Sequence, residues 1–285
     1  MGGSDWRPLR GIDKRRLSEA RLQAHYAVQW LARTARAHIP AQPDDGHTSL
    51  FWDRSLDGFM TQALQDGTRL SLKITNLTLT LHDGNRAAGE QSFGLNTQSD
   101  AQVRQWLGEQ LAARGLDARA LDAASPYPMP AHAIAQGAVY DAAGCADALA
   151  ELAAWYGNAE ILLSGVRNQM LERKLAASPV CCWPHHFDLA TLITLPTRNA
   201  NVTGYVGVGL SPGDHYYDEP YYYVSVYPKP DPAALPSLPA LGSWHTHEFT
   251  AAVAPAHRIV AAKDQNRETD DFLRGSVAVA LELLS

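Results

Sequence analysis

The side chains most able to do chemistry near neutral pH gather in one stretch of this chain, from Trp183 to Glu248. Six of the eleven histidines fall between His185 and His257, and seven of the eleven tyrosines fall between Tyr205 and Tyr227. His245 and His247 stand two apart in a segment with strand character, so alternation predicts that they share a face. The same rule pairs His186 with Asp188. Two imidazoles and a carboxylate on neighbouring strands could hold a catalytic zinc or a non-haem iron and leave positions open for water. The set expected for that chemistry is His245, His247 and Asp188, with His186 in reserve beside Asp214 and His215. His215 or Glu248 would then act as acid or base.

The tyrosines suggest different chemistry. In the run Tyr221, Tyr222, Tyr223 the middle ring must face away from its neighbours, so one face can belong to the core and the other to a pocket. Tyr217, Tyr221 and Tyr223, with Trp183 and Trp244 nearby, are the expected lining of a small-molecule or protein site.

Two motifs fail on specific atoms. Gly209-Leu210-Ser211-Pro212-Gly213 has the letters of a serine nucleophile elbow, but Pro212 has no N–H for an oxyanion and polar, strand-like sequence follows. Pro212 and Gly213 fit the centre of a type II turn instead. The segment 242–247 is similar to part of the JAMM-type zinc isopeptidase signature, yet Pro255 and Arg258 stand where its serine and third metal ligand belong.

These residues must be positioned by an α+β fold, mostly antiparallel sheet packed by a few long helices, in two helix-strands-helix halves. An amphipathic helix is expected over 17–38, ended by Pro40. Apolar residues then alternate through Leu70, Leu72 and Ile74 and again through Leu77, Leu79 and Leu81, with a phase shift that requires a bulge or a break. A strand over 91–95 and a helix capped by Ser99 and stopped by Gly115 complete the first half. An alanine- and leucine-rich helix over 142–175, with a possible interruption at Gly157-Asn158, opens the second. Strands follow near 180–183, 189–195, 202–210, 221–227 and 242–249, then a last helix capped by Thr269. The expected organisation is a flexible 1–13, a half over 14–124, a proline-rich connection over 125–132 and a second half over 133–285 that carries the candidate site.

From Leu22 onward this order of elements resembles an uncharacterised bacterial family catalogued as a domain of unknown function. The residues that carry the resemblance are Ser178, Pro179 and Val180, then Phe187, Asp188, Leu189 and Ala190, then the aromatic segment 221–227 closing in Pro228. The resemblance implies no reaction, cofactor or catalytic residue. His185 and His186 stand where that family has small residues.

Composition narrows the function classes. A net charge of −6 with a single short basic cluster, Lys14 to Arg16, argues against nucleic acid as a partner. No apolar run is long enough to span a bilayer, and no signal-peptide pattern is present, so a cytoplasmic location is expected. Cys145, Cys181 and Cys182 form neither a disulfide framework nor a Cys-x-x-Cys motif. Two functions are open on this reading: binding of a small molecule or protein at a Tyr/His-rich pocket, or a hydrolase or oxygenase dependent on zinc or iron.

Overall fold

The computed structural model describes residues 5–84, 89–195 and 203–285. Packing divides the chain into two compact units, one of Ile12–Ala153 with Cys182–Phe187, the other of Met1–Gly11, Ala154–Cys181 and Asp188–Ser285. The fold is α+β, with two antiparallel sheets. Among the described residues no helix is long and apolar enough to cross a membrane. The division falls inside a long helix, while the proline-rich connection at 125–132 lies within the first unit.

The first unit begins with α1 (Lys14–His38), whose N-cap Asp13 accepts from the backbone N–H groups of Arg15 and Arg16. A meander of β1 (Phe51–Asp53), β2 (Gly58–Met60), β3 (Arg69–Lys73), β4 (Thr78–His82) and β5 (Gln91–Gly94) follows, paired in sequence order. The phase shift between Ile74 and Leu77 is a break: β3 and β4 are joined by a four-residue turn that ends on Leu77 at φ 49. That turn lets Leu70, Leu72, Ile74, Leu77, Leu79 and Leu81 all be fully buried. The unit continues with α2 (Asp100–Ala112), followed by Gly115 at φ 79. Its own helical start of α3 (Ala146–Glu172) ends at Ala153. Inside this unit His25 stacks on Phe187 at 5.1 Å, and its Nε2 bonds the Pro184 carbonyl at 2.8 Å.

The second unit holds the rest of α3, then β6 (Ala176–Ala177), β8 (Asp188–Thr194), β9 (Tyr205–Ser211), β10 (Tyr221–Tyr227), β11 (Ser243–His245), β12 (Ala251–Pro255), α4 (Ala256–Val260) and α5 (Gln265–Leu283), with β7 (Cys181–Trp183) straddling the division. The sheet runs β11-β12-β10-β9-β8-β6. One face, carrying Tyr222, Val224, Val206, Val208, Leu210 and Ala254, is fully buried. The opposite face carries the candidate site. The helix α3 runs through Gly157-Asn158 without interruption. The start of the predicted strand 202–210 lies partly outside the described residues. All three cysteines are buried thiols, outside any disulfide.

Candidate functional site

Strand alternation and register gather the site on one face of the second sheet. On β10, Tyr221 and Tyr223 face the same way, opposite Ser211 and Gly209 of β9 and opposite Pro255 and Val253 of β12. His245 pairs with Ala251 at the outer edge. Tyr221 is 4% exposed and packs with Ala251 and Val253, and the partly buried Tyr217, Tyr223 and Phe249 pack against them. Tyr222 points to the other face and is buried beside Trp155, as alternation predicts.

Each of the three phenols on this face is held by a fixed partner. Tyr223 donates to Asp188 Oδ2 at 2.5 Å, reaching from β10 across β9 to β8. It can do so because Gly209 lies beneath its ring: a Cβ there would meet Tyr223 Cζ and the hydroxyl oxygen at 2.6 Å. Tyr221 donates to Asp214 Oδ2 at 2.5 Å. Asp214 also accepts from the backbone N–H groups of Tyr216 and Tyr217, at 2.8 and 3.1 Å, and from Ser211 Oγ at 3.5 Å. It is thus the hub of the β9–β10 loop, and Gly213 at φ 107 makes the turn that brings it back over the sheet.

Tyr217 meets His245 Nδ1 at 3.1 Å, and His245 Nε2 meets the His247 carbonyl at 2.7 Å. A carbonyl can only accept, so Nε2 donates to it, and in the neutral imidazole Nδ1 is then the acceptor for the Tyr217 hydroxyl. The phenols are also electrostatically fixed. Burial pushes Tyr217, Tyr221 and Tyr223 up, with Asp214 adding to the first two and Asp188 to the third. All three stay protonated through the neutral range.

The expected metal set is not assembled. The strand β11 stops at His245, and Glu248 adopts φ 63 in the turn beyond it, closed by the Phe249 N–H donating to the His247 carbonyl at 2.7 Å. Alternation therefore does not extend to His247. Three strands stand between β11 and β8, a separation of roughly 19 Å at ordinary strand spacing. Both nitrogens of His245 are already engaged. His186 lies in the first unit, in a turn whose last residue, Phe187, has φ 59, so it is not paired with Asp188 on a strand. Among the described residues no group of three or more His, Cys, Asp and Glu side chains is placed to hold a metal ion.

The other expected residues are placed as follows. His215 is exposed, with its ring centroid 3.8 Å from that of Tyr216. Tyr216 donates to Glu248, which pushes the phenol up to about 12 and holds the carboxyl below its ordinary range. That pairing keeps the Glu248 carboxylate ionised at neutral pH, as an acceptor. Trp183 belongs to the first unit, and its strand neighbour Cys181 to the second. Trp244 alternates away from the tyrosine face, and its indole N–H donates to the Pro236 carbonyl at 2.7 Å.

Rings near His245 do not form an open cage. Phe249 stacks on His245 at 4.3 Å between centroids, and Tyr216 contacts both edge-on at 5.1 and 5.2 Å, so the rings touch one another. Sequence reasoning ranked Asp214 as a substitute ligand and set Ser211 aside with the failed elbow. The signal that could have raised both is local: a short polar side chain just after a Pro-Gly turn caps that turn with backbone N–H bonds. No family model, curated protein or solved structure matches this chain.

Proposed function

We propose that the tyrosine face binds a small amine, without catalysis. What carries this reading is that the hydroxyl hydrogens of three tyrosines clustered on the face are committed: Tyr217 to His245, Tyr221 to Asp214 and Tyr223 to Asp188. Once a phenol donates, its oxygen has only acceptor capacity left. The face can therefore accept hydrogen bonds and offers no donor from these three groups, and two carboxylates beneath add negative potential. A ligand rich in N–H donors and positively charged complements it, and the partly buried rings of Tyr217 and Tyr223 favour the same charge.

The test is a panel of small primary amines, neutral polyols and carboxylic acids, screened by thermal shift and confirmed by calorimetry on the full chain. Saturable stabilisation by amines is expected, weakened about tenfold by Tyr221→Phe or Tyr217→Phe, each of which keeps the ring and removes the oxygen. Binding of the acids in place of the amines, or amine affinity unchanged in both variants, would refute the assignment.

A further inference from the structure

The segment 5–11 has neither helix nor strand, yet hydrogen bonds to two carboxamides hold it, where the sequence suggests a flexible stretch. The Arg7 N–H donates to Asn158 Oδ1 at 2.9 Å, and Asn158 Nδ2 donates back to the Arg7 carbonyl at 2.8 Å. Two residues on, the Leu9 N–H donates to Gln265 Oε1 at 2.9 Å, and Gln265 Nε2 donates to the Leu9 carbonyl at 3.0 Å. Each carboxamide satisfies both backbone groups of one residue, at the two-residue spacing that a neighbouring strand would use. Pro8, between the clamped residues, has no N–H to satisfy and is exposed.

The seat is shaped for this segment. Leu9 is 4% exposed, so the groove buries this side chain as well as engaging its backbone. Asn158 is fully buried in the middle of α3, where asparagine is a poor helix former and an unmet amide is costly. Gly157 beside it leaves room for the Arg7 side chain: a Cβ would stand 2.2 Å from Nη2. The Gly157-Asn158 pair, which reads in sequence as a helix interruption, is the floor of this groove. None of these residues belongs to the tyrosine face.

We infer that the groove between α3 and α5 is a peptide-binding site that reads backbone through Asn158 and Gln265 and takes an Arg-x-Leu segment. Residues 7–9 fill it in cis as a displaceable strap, and the partner it fits is the same segment of a second copy of this chain. The two carboxamides recognise main chain alone, so selectivity rests on the burial of Leu9 and on the seat for Arg7.

A fluorescein-labelled peptide of residues 5–11 tests this, titrated into three full-length chains: wild type, Arg7→Ala with Leu9→Ala, and that double variant with Asn158→Leu. Weakening the strap frees the groove, so the double variant is expected to bind the peptide about tenfold more tightly than wild type. Adding Asn158→Leu abolishes the gain. A folded double variant that binds no peptide, or binds equally well with Asn158→Leu, overturns the proposal. Should the double variant not fold, hydrogen exchange on the wild type decides. A displaceable strap opens locally, so the Leu9 amide exchanges at least about a hundredfold faster than that of Tyr222. Equal protection of the two amides overturns the proposal as well.

Discussion

At the scale of single residues, Gly209 is the position on which the tyrosine face depends most directly. A methyl group there would stand 2.6 Å from Tyr223 Cζ, with the ring already fixed by Asp188. Gly209→Ala is expected to destabilise the chain by about 1–3 kcal/mol in urea unfolding, as overpacking of a fitted site does. Tyr223→Ala removes the obstruction, so the double variant should lose less than the sum of the two single changes. Strict additivity would mean that the ring does not lie over the glycine. The partners on this face were partly legible in sequence. Alternation places Tyr221 and Tyr223 together, and the acidic loop beside them was evident. That His245 bonds Tyr217 could not be read, because it depends on where β11 ends. The left-handed turn at Glu248 has no glycine or asparagine to announce it.

Among the elements, α5 shows how a cap can be misplaced. Thr269 followed by Asp270 and Asp271 has the composition of a helix start, but the helix begins at Gln265 with Asp264 as N-cap, its side chain accepting from the Arg267 N–H at 3.1 Å. Thr269 is instead buried in the second turn, and its hydroxyl donates to the Gln265 carbonyl at 2.6 Å. Asp264→Ala should therefore cost about 1 kcal/mol in thermal or denaturant unfolding, the usual effect of losing such a cap. A change within error would remove Asp264 from that role. The strand β12 escaped notice for a different reason. Ala251–Pro255 is buried at every position, so it shows no alternation, and its small residues give no aromatic or β-branched signature apart from Val253. Missing it also hid the strand order. With β12 inserted between β10 and β11, the strand of His245 is far from that of Asp188, and no local pattern carries that information.

For the molecule as a whole, stability against pH follows from a buried histidine of the first unit. His25 is 6% exposed and its pKa is lowered from 6.5 to about 4, chiefly by burial. Between those values the unfolded chain binds a proton that the folded chain does not, so stability is complete above the unfolded pKa and is lost as pH falls toward 4. The contribution at stake is roughly 3 kcal/mol. In unfolding titrations, the stability difference between wild type and His25→Gln should shrink by that amount from pH 7 to pH 4, and a constant difference would count against it. The helix-strands-helix pattern of both halves was legible because long periodic helices and alternating strands are local signals. The division inside α3 was not, since it reflects which distant segments pack together. The bridge from Tyr223 over Gly209 to Asp188 has one more effect. If β9 slid by one residue against β10, Val208 or Leu210 would come beneath the ring and the hydroxyl would lose its carboxylate. A mispaired sheet is thus penalised by both a collision and an unmet polar group, so the tie acts as a proofreading mark for strand alignment.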